Sequence, residues 1–307
     1  MRIFREDCPT RWAGRLLLAL ALLGGTAAST ISPGAAQESD GFGSQFYSFV
    51  PAKPESELTK LGDASLWRDD MKKAKQFYGE GDFVRAREYL ERASKSGSLI
   101  ATWYLGDMYR TGKGVAVDTG KSFAYYRQVA LAYDSEQPNR RLMRITVDAL
   151  VRVADIYRDG APNDNIHKDP VRAYNLYSTA AFHGHPAALY AIGVMYLKGQ
   201  GVKKMPDQGI RWLMKAARKR YAPAEAMLGD LHYEGLHVKQ DKAKAVMWYT
   251  LARQTARPDA YPQIISRFGT LLDEVSDVER SSGEALAVQW SEQYPAEDTP
   301  SPVSADE

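Results

Sequence analysis

The sequence ALYAIGVMYLKGQGV at residues 188–202 matches ATWYLGDMYRTGKGV at residues 101–115 in the spacing of alanine, an aliphatic residue, glycine, tyrosine and a closing Gly-x-Gly-Val. A third copy, AEAMLGDLHYEGLHV, occupies residues 224–238, and a more diverged one, ALVRVADIYRDG, occupies residues 149–160. The loop glycines that follow, Gly112, Gly160, Gly199 and Gly235, are separated by 48, 39 and 36 residues. The chain is therefore a tandem repeat with a base period of 36 residues, which is typical of helical repeat proteins.

Each copy predicts a first helix, because Ala188, Ile192 and Tyr196 share one face at the spacing i, i+4, i+8. The glycines after this segment predict the turn that ends the helix, since glycine adopts the left-handed conformation readily. Aspartates then stand where a second helix should begin and cap its free amides: Asp118, Asp169 and Asp241. We therefore predict an all-α fold, a right-handed α/α superhelical solenoid of antiparallel helix pairs.

Three glycines lie inside the predicted first helices, at Gly106, Gly193 and Gly229. Glycine within a helix costs about 0.5–1 kcal/mol relative to alanine, so some contact must offset that cost. We interpret these structural repeat glycines as the points where the second helix of each pair approaches the first closely.

The Leu-Gly-x2-Tyr, Gly-x-Gly-Val-x2-Asp and Lys-Ala-x2-Trp-Tyr segments resemble Sel1-like repeats, a branch of the tetratricopeptide superfamily. The resemblance covers residues 64–294 and implies about five helix pairs plus C-terminal capping helices, in a fold that binds other proteins. The sequence departs from the usual pattern at Gly209 and Leu213, which replace alanine and tyrosine, and at His237, which replaces the second loop glycine.

The layout also resembles the periplasmic negative regulators of exopolysaccharide production. It combines an N-terminal export signal, a short first pair at residues 72–97 and an insertion ahead of residues 151–157. This resemblance implies a protein partner, the periplasmic domain of a sensor kinase.

The two ends of the chain differ from the repeats. Residues 1–36 hold four arginines, an apolar run and small residues before Gln37, which predicts a cleavable signal peptide and a periplasmic location. The alternative is an uncleaved inner-membrane anchor formed by residues 16–37. Residues 37–63 are predicted to be a linker, and residues 295–307, with three prolines, four acids and no base, a disordered acidic tail.

Composition argues against several classes of function. Beyond residue 36 the chain has 36 basic and 36 acidic residues, which does not favour a general nucleic-acid binder. The single cysteine, Cys8, lies in the predicted signal peptide, and His183 and His185 have no third ligand nearby in sequence. We therefore predict no catalytic residue, no cofactor and no metal site. A cryptic hydrolase remains an alternative.

The first helices of such solenoids line the concave wall where ligands usually bind. The corresponding positions predict a partner-binding groove, which comprises Trp103, Asp107, Arg110, Val151, Asp155, Arg158, Tyr190, Val194, Leu197, Ala226, Asp230 and Tyr233. Two alternatives stay open: the Asp and Arg residues form i,i+3 surface pairs, or the aromatic residues are buried between units.

A second predicted surface is basic. Arg211, Lys215 and Arg218 fall on one face of a second helix, within a segment from Lys203 to Arg220 that holds one acid, Asp207. An anionic polysaccharide would fit this surface, which leaves open an envelope scaffold that binds polysaccharide or peptidoglycan. The other interpretation is a solvated run of charge.

Overall fold

The computed structural model describes residue 65 and residues 67–295. The predicted signal peptide (residues 1–36) and linker (37–63) lie outside the described residues, as does the predicted acidic tail from residue 296 onward.

The described residues form twelve α-helices and no β-strand. The helices are α1 (Arg68–Gly79), α2 (Phe83–Lys95), α3 (Leu99–Thr111), α4 (Thr119–Ala130), α5 (Arg140–Asp159), α6 (Pro170–Phe182), α7 (Pro186–Lys198), α8 (Pro206–Arg218), α9 (Ala222–Glu234), α10 (Lys242–Thr255), α11 (Pro262–Asp273) and α12 (Asp277–Gln293). A short 3-10 helix, Pro162–Asp164, accommodates the extra residues of the α5–α6 loop.

Successive helices pack as pairs, and the second helix of each pair contacts the first helix of the next. The five pairs are α1–α2, α3–α4, α5–α6, α7–α8 and α9–α10. The last two helices, α11 and α12, both pack against α10. The predicted all-α solenoid is therefore confirmed.

The turn inside each pair is held by the residue that begins the second helix. The side chains of Asp118, Asp169 and Asp241 accept hydrogen bonds from backbone amides three residues later, at 2.8, 2.8 and 3.0 Å. The backbone amides of the same three aspartates donate back to carbonyls near the end of the first helix, at 2.7–2.9 Å. In the fourth pair Met205 occupies this position, so the backbone bond to Tyr196 remains while the side-chain cap is lost.

His237 adopts the positive φ of the repeat loop, a backbone conformation that non-glycine residues disfavour. The equivalent glycines, Gly114 and Gly201, have φ values of 70° and 71°, and His237 adopts φ 60°. A non-glycine residue is strained in this region. The departure from the repeat pattern therefore changes the residue and leaves the loop conformation in place.

The repeat glycines lie where the second helix crosses the first. A Cβ added at Gly106 would lie 3.0 Å from the ring of Tyr126, and one at Gly229 would lie 2.6 Å from the ring of Tyr249. At Gly193 it would lie 2.9 Å from Leu213 and 3.0 Å from the backbone oxygen of Gly209. The close approach therefore involves a tyrosine ring in two pairs and the backbone itself in the fourth.

A buried ion pair joins the last repeats. Arg220, in the connection between α8 and α9, donates to Glu225 of α9 at 2.9 Å, and both side chains are buried. Its guanidinium also donates to Gln254 of α10 at 2.9 Å and to Ser291 of α12 at 3.3 Å. Arg220 has φ 54°, at a connection where the earlier pairs use Gly97 and Gly184. The strained backbone thus carries a side chain that links three helices.

The contact at Gly193 predicts a specific cost of substitution. Gly193→Val should lower the free energy of unfolding by about 1–3 kcal/mol, because the added side chain overpacks against α8 by more than the higher helix propensity of valine offsets. Gly269→Val in α11 is the matched control, since nothing lies within 4 Å of a Cβ at Gly269. Urea unfolding followed by circular dichroism measures both. Equal losses in the two variants would remove packing as the explanation.

Candidate interaction surface

The predicted groove positions nearest the core differ in exposure. Trp103, Val151 and Ala226 are buried, with 6%, 2% and 8% of their surface exposed. Tyr190, the equivalent residue of α7, is half-buried. Trp103, Val151 and Ala226 are therefore corrections to the predicted groove: they lie in the core and present no anchor to a partner.

For Trp103 the reason is a buried carboxylate that the sequence analysis did not identify. The indole Nε1 of Trp103 donates to Asp148 of α5 at 2.7 Å, and the Asp148 side chain is 3% exposed. Arg152 and His185 also face this carboxylate, at 3.3 and 3.5 Å. Burial opposes ionisation of Asp148, but Arg152, His185 and Trp103 together lower its pKa. This cluster ties α3, α5 and the start of α7 to one another.

The next groove position is held from the second helix of the same pair. Asp107, Asp155 and Asp230 accept hydrogen bonds from tyrosine hydroxyls, namely from Tyr126 at 3.4 Å, Tyr177 at 2.6 Å and Tyr249 at 2.6 Å. Burial raises the pKa of all three tyrosines, so each hydroxyl remains a donor. We call this contact the Asp–Tyr tether. It engages the aspartates within their own repeat.

The arginines of the groove are engaged as well. Arg110 pairs with Asp107 at 2.5 Å, and Arg158 pairs with Asp155 at 3.1 Å and with Asp159 at 2.7 Å. Asp107–Arg110 and Asp155–Arg158 are the predicted i,i+3 surface pairs, whereas Asp159 is the residue next to Arg158. The charged half of the predicted groove is therefore largely neutralised by its own residues.

The fourth pair lacks the tether because both of its residues are replaced. Val194 stands in place of the aspartate and Leu213 in place of the tyrosine. Replacing both partners of a hydrogen bond by apolar groups leaves no unsatisfied atom, whereas replacing one would. The result is an apolar position between two tethered neighbours.

Three half-buried side chains of α7 share this face, and we call them the α7 surface: Tyr190, Val194 and Leu197. The ring centroid of Tyr190 lies 5.7 Å from that of Tyr221, and burial raises the pKa of Tyr190. Leu197 packs against α8, because a Cβ at Gly209 would lie 2.9 Å from its Cγ. The predicted groove residue of the next pair, Tyr233, is half-buried and has the guanidinium of Arg267 4.7 Å from its ring centroid.

The predicted basic residues lie on α8. Arg211, Lys215 and Arg218 are all exposed, and the ammonium of Lys215 lies 4.0 Å from the ring centroid of Trp212. Arg220 belongs to the same charged segment in sequence, but its burial against Glu225 removes it from the surface.

The paired histidines serve separate contacts. His183 Nε2 lies 2.7 Å from the hydroxyl of Tyr133, and His185 faces Asp148. Within residues 67–295 no three His, Cys, Asp or Glu side chains converge in a way that would hold a metal ion. None of the described helices combines the length and the apolar character that a membrane span requires.

Comparison with known proteins identifies a family and several similar sequences. The family model of the Sel1 repeat matches residues 72–98, 99–134, 147–185, 186–221 and 222–254. Proteins named exopolysaccharide production negative regulator are similar in sequence. The one from Rhizobium leguminosarum bv. viciae is 28% identical over 158 residues, which cover 51% of this chain and 58% of that protein. The one from Rhizobium meliloti (strain 1021) is 27% identical, over 60% of this chain and 67% of that protein.

Among solved structures, the chain is similar to a Sel1 repeat protein from Oxalobacter formigenes. The TM-score is 0.51 and the sequence identity 26%, over 77% of this chain and 90% of that chain.

The assignment of Trp103 to the core gives a direct prediction. Trp103→Phe should destabilise the protein by about 1–3 kcal/mol, because it removes a donor from a buried carboxylate. Tyr190→Phe should change the free energy of unfolding by less than about 0.5 kcal/mol, as is usual for partly exposed positions. Denaturant unfolding of the two variants tests this contrast. An unchanged free energy of unfolding in Trp103→Phe would contradict the assignment of Trp103 to the core.

Proposed function

Because this chain belongs to the Sel1 repeat family, we propose that it acts by binding another protein and does not itself catalyse a reaction. The solenoid is a protein-interaction fold, and its relatives carry the name of exopolysaccharide production negative regulators. We place this activity in the cell envelope, where the protein would restrain exopolysaccharide production by binding the periplasmic domain of a sensor kinase. The export features of residues 1–36 and the layout of the repeats support this proposal.

The α7 surface is the proposed docking site. One observation carries it: Val194 and Leu213 replace the Asp–Tyr tether, so this repeat alone among the four tether positions offers an apolar face. On α3, α5 and α9 the equivalent aspartates are engaged by tyrosines of their own pair. A partner that docks here would not have to break those internal hydrogen bonds.

The composition of this surface indicates what the partner presents. A half-buried tyrosine between aliphatic side chains is typical of the anchors that dominate binding energy at protein interfaces. We expect an apolar or aromatic side chain of the partner to insert beside Tyr190 and Leu197. The salt dependence of such a contact should be small, since it does not rest on exposed charges.

A photo-crosslinking residue tests the location of the site. Placed at Tyr190 or Leu197 in the native envelope, it should capture one protein, identified by mass spectrometry as a sensor kinase. The matched control is the same residue at Val278 of α12, which is 74% exposed. Equal capture of the same protein at Val278 would exclude the α7 surface as the specific site.

A second variant tests the physical reason. Val194→Asp gives α7 the aspartate of the other repeats and, because Val194 is half-buried, should leave the fold intact by circular dichroism. Capture through Leu197 should fall about tenfold or more, which corresponds to the loss of one interface anchor. Unchanged capture by the folded variant would contradict the proposed role of the apolar face.

Export requires a separate measurement. Residues 1–40 fused to a reporter that is active only outside the cytoplasm should give activity, and the mature N-terminus should lie near Gln37. Recovery of the intact Met1 terminus from a soluble cytoplasmic pool would contradict the periplasmic location.

A further inference from the structure

The surface of α8 carries positive charge that no carboxylate of the described residues pairs with. We define the basic surface as six residues, all exposed: Lys203, Lys204, Arg211, Lys215, Arg218 and Lys219. None of the six forms an ion pair with another described residue. This distinguishes α8 from the second helices α4, α6 and α10, where the capping aspartates pair with Lys121, Arg172 and Lys244 at 3.0, 3.5 and 3.3 Å.

The repeat itself explains the difference. In the fourth pair Met205 replaces the capping aspartate, and Gln208 replaces the cation that would pair with it. Between residues 201 and 220 the sequence retains one acid, Asp207. The segment from Lys203 to Arg220 therefore holds seven bases against one acid, and an acidic partner would complement the exposed bases.

The described chain ends beside this surface. The guanidinium of Arg218 lies 5.5 Å from the ring centroid of Tyr294, the residue that follows α12. The ring of Tyr294 also packs on Trp290, with centroids 4.5 Å apart, and Arg220 donates to Ser291. These contacts place Tyr294 next to the C-terminal end of α8, two residues before the segment 296–307 in the sequence.

The sequence beyond that point has the complementary charge. Residues 296–307 hold four acids and no base: Glu297, Asp298, Asp306 and Glu307. Three residues of extended chain span about 10 Å, so Glu297 is within reach of Arg218. At the helical rise, Arg211 and Arg218 are also about 10 Å apart along α8. The segment 296–307 is long enough to span that distance, so its carboxylates can reach both arginines.

We propose that residues 296–307 bind the basic surface of α8 in the same molecule. The carboxylates of the segment pair with the exposed cations, and the attachment of the segment after Tyr294, beside Arg218, makes their encounter intramolecular. Each exposed ion pair contributes little by itself, so the contact should weaken steeply as salt screens it.

A zero-length carbodiimide crosslinker tests this contact, because it joins a carboxylate to an amine only where the two touch. In the purified full chain we expect crosslinks from the carboxylates of residues 297–307 to Lys215, Lys219, Lys203 or Lys204, identified by mass spectrometry. Their yield should fall at least about fivefold between about 0.02 M and about 0.5 M salt, as the Debye length shortens. The cap pair Lys121–Asp118, at 3.0 Å, verifies that the reagent works.

Two matched variants separate a specific contact from general attraction. Arg211→Gln with Arg218→Gln removes charge and keeps the lysine acceptors, so the crosslinks should fall about fivefold as the partner charges are lost. Arg140→Gln with Arg144→Gln removes two exposed arginines of α5 and should leave the yield unchanged.

Three outcomes would overturn the proposal. The first is the absence of these crosslinks while Lys121–Asp118 is joined. The second is an equal yield from the segment to Lys72 of α1, an exposed lysine outside the basic surface. The third comes from mixing isotopically labelled and unlabelled protein: crosslinks mainly between the two kinds of chain would assign the surface to a second copy.

Discussion

The crossing of the two helices within a pair sets the geometry of the repeat, and in two of the five pairs this crossing depends on a glycine of the first helix that faces a tyrosine ring of the second. The glycine leaves room for the ring, and in the same pairs the hydroxyl of that ring reaches the aspartate one residue further along the first helix. One side chain thus fixes both the distance between two helices and their register. The diverged pair, which has Ala154 in place of glycine, keeps the hydrogen bond between Tyr177 and Asp155. The fourth pair replaces the tyrosine with Leu213, adds Gly209 opposite Gly193 and brings the two backbones into contact.

Buried charged groups connect successive helix pairs at two places. Asp148 gathers Trp103, Arg152 and His185 from three successive parts of the solenoid, and Arg220 with Glu225 does the same near the C-terminal end. Buried charges are costly unless they are fully partnered, so they add less to stability than apolar contacts of similar size. Because each of these groups has partners on more than one helix, we expect them to favour the native arrangement of neighbouring repeats over alternatives. The apolar α7 surface and the basic surface of α8 both arise in the fourth pair, which has lost the tether and the capping aspartate together.

The sequence was informative wherever a property repeats. The period of 36 residues, the capping aspartates and the helix-interior glycines predicted the helix pairs, because each depends on neighbours within one repeat. Contacts between residues far apart in the sequence produce no such repeated pattern. Trp103 looked like a surface aromatic because Asp148, its hydrogen-bond acceptor, lies 45 residues away. The sequence places Arg220 in a basic segment, and its burial against Glu225 is visible only in the structure. The importance of Val194 depends on the hydrogen bonds that tyrosines of the second helix donate to Asp107, Asp155 and Asp230, which the sequence does not reveal.

Arg220 also bears on how the protein unfolds. In a solenoid each repeat touches only its neighbours, so terminal repeats tend to fray independently of the rest. Here one guanidinium spans α9, α10 and α12, and removal of any of these helices would leave a buried charge without its partners. The C-terminal helices are therefore expected to open as one cooperative unit. A protease needs a locally opened segment to cut, so this link among α9, α10 and α12 should make cleavage within these helices depend on opening all three together.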